Sequence, residues 1–170
     1  MLEPIKEKLR NLNCGPDLDV ILCFMESTGI NFIDTKIHGP YAIATFYSIY
    51  LDIDKIINRF GCDMVSYILL HEIGHFKRIS KMGKTYVLSM LSDDDFYVFS
   101  DHIVEEEMIA DRYAVFVYNE LTKNKLSREI TQQLNFKVNR DEFVLSNTRL
   151  FGEIKNNEES YREFLNNFIE

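Results

Sequence analysis

An α+β fold is predicted for this chain: helices packed on a small, mostly antiparallel sheet, with extra helices at both ends. Three observations predict it. Apolar residues recur at helical spacing before residue 30; the 31–52 stretch is β-rich and interrupted by turn signals; long helical periodicity returns after residue 62. The 170 residues fit one domain, 1–170, and no repeat, linker or low-complexity block divides them.

Leu2, Ile5, Leu9 and Leu12 are interleaved with charge, which describes an amphipathic helix with Pro4 in its first turn and not a signal peptide. Pro16-Asp17 opens a second helix with Leu18, Ile21, Leu22 and Met25 on its apolar face, ending near Gly29. A strand is expected over 31–37, a turn at His38-Gly39-Pro40, and one or two more strands over 41–51. Residues 54–60 read as a helical turn closed by Gly61, and 63–82 as a long helix stopping before Gly83. After a mixed stretch, Ser100 is the expected N-cap of a helix running to residue 121, with Asp101 and the glutamates at 105–107 favouring its first turns. The polar, Asn-rich tail, 122–170, is expected to add helices near 128–134 and 158–169.

The formal net charge of −8 gives no whole-molecule attraction to nucleic acid, so no direct nucleic-acid partner is expected. Lys77, Arg78, Lys81 and Lys84 form the one basic cluster, read as a solvated helix face that could favour acidic substrates. The longest apolar runs, such as Ile68-Leu69-Leu70, are far too short to span a bilayer, and no membrane partner is expected. Cys14, Cys23 and Cys62 are an odd set without metal-ligand spacing, which argues against a disulfide framework and for a reducing compartment, the cytoplasm.

Chemistry concentrates in His71-Glu72-Ile73-Gly74-His75. On a helix, residues i and i+4 share a face, so both imidazoles can reach a single zinc ion while Glu72, rotated off that direction, serves as general base. Gly74 costs about 1 kcal/mol of helix propensity relative to Ala, which suggests close packing of another segment there. A third ligand is needed. Arg78 and Lys81 occupy the places where an extended His motif would put it, so it must come from elsewhere. Of Glu105, Glu106 and Glu107, only Glu107 has a carboxylate four residues on, Asp111, able to orient a ligand imidazole from the same face. His102 is the rival. Ala110 and Ala114 flank that face and would allow the two helices to approach closely.

These residues resemble the gluzincin peptidases, and within them the ImmA/IrrE family: Gly29-Ile30, Tyr47 through Asp52, the HEIGH form of the motif and the ExxADxxA form of 107–114 carry the likeness over about 27–121. Asp111 stands where that family often has Asn, and the second helix lacks the apolar-Pro ending. The resemblance implies a zincin-like core, one Zn2+ held by His71, His75 and Glu107, Asp111 orienting a ligand His, and cleavage of a protein partner, often a transcriptional regulator. The expected reaction is endopeptidase hydrolysis by zinc-bound water with Glu72 as base, the substrate lying along an edge of the sheet. Tyr113, His102 and Arg112 are candidate donors to the transition state. The competing reading is a regulatory or binding module that keeps the fold without turnover; such a copy would be expected to lose Glu72, which is retained.

Overall fold

A short sheet lies in the first half of the chain, where Thr45 closes a hairpin on itself. Its hydroxyl accepts from the backbone N–H groups of Tyr47 and Ser48 at 3.2 and 3.1 Å and donates to the Ser48 carbonyl at 2.9 Å. This turn joins β2 (Ala42–Ala44) to β3 (Ser48–Leu51) as an antiparallel pair, while β1 (Asn31–Asp34) lies parallel to β3 on its other side, giving the order β1-β3-β2. The mostly antiparallel sheet expected from the sequence is therefore mixed. The reason lies in the 35–41 connection, which crosses β3 instead of folding straight back. It is pinned by Lys55, whose amino group donates to the carbonyls of Ile37, Gly39 and Pro40 at 3.1, 2.8 and 3.1 Å. β1 also ends at Asp34, short of the expected residue 37.

The computed structural model describes residues 2–91 and 96–123 together with Glu159, Arg162, Glu163 and Asn166, with the side chains of 86, 89–101 and 103 left aside. The expected helix at 128–134 lies outside them; of that at 158–169, the four described residues are helical.

Helices α1 (Glu3–Asn11) and α2 (Leu18–Thr28) precede the sheet, and Gly29 ends α2 in the left-handed conformation, φ 68°. After the sheet, the Asp52 carboxylate caps α3 (Ile53–Phe60) by accepting from the Lys55 backbone N–H at 3.0 Å. A 3-10 turn at Cys62–Met64 leads into α4 (Val65–Met82), followed by α5 (Lys84–Leu91) and α6 (Phe96–Thr122). Two expectations change here. The mixed stretch after Gly83 contains α5, and α6 begins at Phe96, so Ser100 lies inside it and is no N-cap. No Gly or Pro interrupts residues 96–100, so helical spacing continues through Ser100.

One hydrophobic cluster ties these elements together: Ile5 and Leu9 of α1, Ile21, Leu22 and Met25 of α2, Phe32, Ile49 and Leu51 of the sheet, and Leu69, Leu70 and Ile73 of α4 are all buried within it. α4 is the hub, in contact with α2, α3, α6, β2 and β3. No helix among the described residues is long and apolar enough to cross a membrane.

Cys14 and Cys62 are joined as a disulfide, and Cys23 is free and exposed. This corrects the expectation drawn from the odd cysteine count: 48 residues apart in sequence, the pair meets because the α1–α2 loop folds against the turn that starts α4. With that pair closed, cysteine usage no longer argues for a reducing compartment. A crosslink spanning such a loop restricts the unfolded chain, so reduction is expected to lower stability by about 2–4 kcal/mol. Urea unfolding with and without dithiothreitol checks this; coincident midpoints would show that the crosslink does not staple the fold.

Candidate metal centre

The middle of α4 presents His71 and His75 one turn apart, and α6 crosses it so that Glu107 reaches both. His71 Nε2 is 3.1 Å from Glu107 Oε2, His75 Nε2 is 3.3 Å from Glu107 Oε1, and the two Nε2 atoms are 3.0 Å apart. The crossing can be this close because of Gly74. A Cβ added there would lie 3.1 Å from the Ala110 Cα, 3.2 Å from the Tyr113 ring and 3.3 Å from the Ala110 carbonyl oxygen. Ala110 and Ala114, both fully buried, complete the small-residue contact on the α6 side.

Asp111 lies one turn beyond Glu107 and accepts from His71 Nδ1 at 2.9 Å. That contact leaves the proton on Nδ1 and directs the lone pair of Nε2 toward Glu107 and His75. His71 Nε2 and the Glu107 carboxylate, both acceptors in their neutral-pH states, thus converge with His75 Nε2 on one point, an arrangement that a shared proton or a cation satisfies. Without a cation, protons fill the role. Burial works against the charged imidazoles, but the Asp111 and Glu107 carboxylates outweigh it and push His71 up to about 10. For His75, burial is likewise outweighed, by Glu107, and its pKa rises. Burial would raise Glu107, yet His75 and His71 hold its carboxyl well below the usual range. Any cation entering this site displaces protons. His71, His75 and Glu107 accordingly form a cluster that could hold a metal ion, and it is the one such group among the described residues.

No family model, curated protein or solved structure matches the chain.

Glu72 is buried beside β2 and lies outside the ligand cluster, within electrostatic reach of His71, His75 and Glu107. Burial raises its pKa, against the pull of His75 and His71 and of the Ala44 backbone N–H, which donates to its carboxylate. Among the described residues, the strand beside it, β2, is an edge strand. Tyr41 and Thr45 bond to Asp52 and Ser48 across the ladder, so by alternation Ala42 and Ala44 turn their backbone groups toward the open side.

The remaining sequence candidates fall elsewhere. His102 is outside the metal-capable cluster. Arg112 is exposed. Tyr113 packs against Gly74 with the Lys77 ammonium 5.2 Å from its ring centroid, and its hydroxyl is buried without a partner among the described residues. The basic cluster is partly spent on internal contacts: Arg78 Nε pairs with both oxygens of Glu106 at 3.1 and 3.2 Å. The sequence reading missed Tyr67, whose hydroxyl donates to the same Asp111 oxygen as His71. Its signal was present, since Tyr67 precedes His71 by four residues and shares its face.

Proposed function

We propose that this chain is a zinc-dependent endopeptidase of the gluzincin type, similar to the ImmA/IrrE family, acting on a protein or peptide partner. The observation that carries the reading is the convergence of His71, His75 and Glu107 around one point with Glu72 alongside. Tetrahedral zinc with bonds of about 2.0–2.2 Å needs ligand atoms separated by roughly 3.3–3.6 Å; His71 Nε2 and His75 Nε2 lie 3.0 Å apart and each meets a different Glu107 oxygen, at 3.1 and 3.3 Å, with one ligand atom of each residue within 4.8 Å of the others. Two imidazoles and one carboxylate are a catalytic zinc donor set, leaving a fourth position open. When bound, zinc would act as a Lewis acid that polarises the scissile carbonyl and acidifies water.

The chain's own residues supply the rest. Asp111 orients His71. Glu72 accepts the proton of the attacking water and passes it to the leaving amine. The Ala44 N–H is taken by Glu72, so the outward N–H and carbonyl of Ala42 and the Ala44 carbonyl are the groups an extended peptide could pair with, beside Glu72. A transcriptional regulator as the natural target is an extension from the family likeness alone.

The test of the metal is titration of zinc into the wild type and Glu107→Ala, with affinity read by chelator competition. The wild type is expected to bind one ion, and the variant to bind on the order of a hundredfold more weakly or worse. Equal affinities, or loss in His102→Ala instead, would reject Glu107 as the third ligand.

A further inference from the structure

We infer that Tyr67 is a positioning residue of the metal centre: its hydroxyl holds the Asp111 carboxylate in the orientation that presents His71 Nε2 to the cation. The inference rests on the zinc reading above and adds a residue to it. Tyr67 is buried, 5% exposed, one turn before His71 on α4. Its ring lies tilted against the His71 imidazole, centroids 5.9 Å apart. Its hydroxyl donates to Asp111 Oδ1, the atom that also receives the His71 Nδ1 proton. Among the described residues, these two contacts are all the side-chain hydrogen bonds that Asp111 makes.

The consequence follows from Asp111's surroundings. Its side chain is 40% exposed, so a carboxylate held by His71 alone could turn toward water and exchange that contact for solvent. Two donors from successive turns of one rigid helix, meeting at a single oxygen, remove that freedom. They also commit the proton of His71 to Nδ1, because an Asp111 already accepting from Tyr67 is anchored as an acceptor. A purely packing role for this position would be met by a Phe, whose ring is the same and which lacks only the oxygen aimed at Asp111. The chain from Tyr67 through Asp111 to His71 therefore sets the ligand before any ion arrives.

The experiment is a double-mutant cycle on the full chain, using zinc affinity by chelator competition for the wild type, Tyr67→Phe, Asp111→Asn and the double variant, with thermal unfolding of each metal-free protein. Tyr67→Phe is expected to weaken zinc binding about tenfold with its metal-free unfolding midpoint little changed, and to have less than about a twofold effect when Asp111 is already Asn. Affinity within about twofold of wild type in Tyr67→Phe overturns the inference. So does an equal loss in the Asp111→Asn background, since Tyr67 would then act by packing, as does a collapse of the metal-free midpoint. A wild type that takes up no zinc removes the zinc reading itself, whereas zinc bound normally by both wild type and Tyr67→Phe removes only the role given to Tyr67.

Discussion

Glu72→Gln is expected to bind zinc as the wild type does while losing peptide hydrolysis by roughly 10²–10⁴-fold, the range typical for removing a general acid–base group. The substitution is close to isosteric, so Leu69, Leu70 and Ile73, which pack along the same helix, should keep their contacts. The ligand atoms belong to His71, His75 and Glu107 and are left in place. What changes is one oxygen that can take a proton. Gln cannot accept it at neutral pH, and its amide can rotate only to offer a carbonyl to the Ala44 N–H. Comparing turnover of a casein or unstructured-peptide substrate at matched zinc occupancy separates the two readings of the fold. Comparable turnover in both proteins would reject Glu72 as the base, and no turnover in either at full occupancy would favour the non-catalytic binding module.

The second large effect is expected at Gly74, where function depends on packing. Gly74→Val should destabilise the fold by about 3 kcal/mol, a change on the order of a hundredfold in the folded-to-unfolded ratio. An Ala at this position would recover about 1 kcal/mol of helix propensity, which partly masks the clash. Val gains less propensity and adds two methyl groups where the first added carbon already meets the Ala110 Cα at 3.1 Å. That neighbour is backbone of α6 and cannot swing aside, so the helices must separate. Because Glu107 lies on α6 one turn before Asp111, separation also draws the carboxylate away from His71 and His75. Denaturant unfolding and zinc affinity should therefore fall together. A Gly74→Val protein with wild-type values of both would show that the α4–α6 approach at Gly74 does not limit the side chain there.

Much of this centre was legible because its parts are local. Residues four apart on a helix share a face whatever surrounds them, so His71 with His75, and Glu107 with Asp111, could be paired from spacing alone. Gly74 was legible too, since a glycine in a helix interior carries a propensity cost that close packing can offset. Tyr67 obeys the same spacing but was missed, because a tyrosine four residues before a histidine is ordinary until an acceptor is known to face it. The contact of Arg78 with Glu106 was hidden for the same reason: each is unremarkable on its own helix.

The tertiary arrangement decided the rest. Strand order could not be read from residues 31–52, because parallel or antiparallel pairing depends on how the 35–41 connection crosses, and that path is set by Lys55 from α3 gathering three carbonyls. The union of Cys14 with Cys62 depends on the same kind of long-range approach, which a cysteine count does not register. Most of all, the sequence by itself determined which residues can come together around a metal ion. Only the crossing of α4 and α6 at Gly74 and Ala110 brings Glu107 to the histidines, and that meeting turns two separate helical patterns into one site.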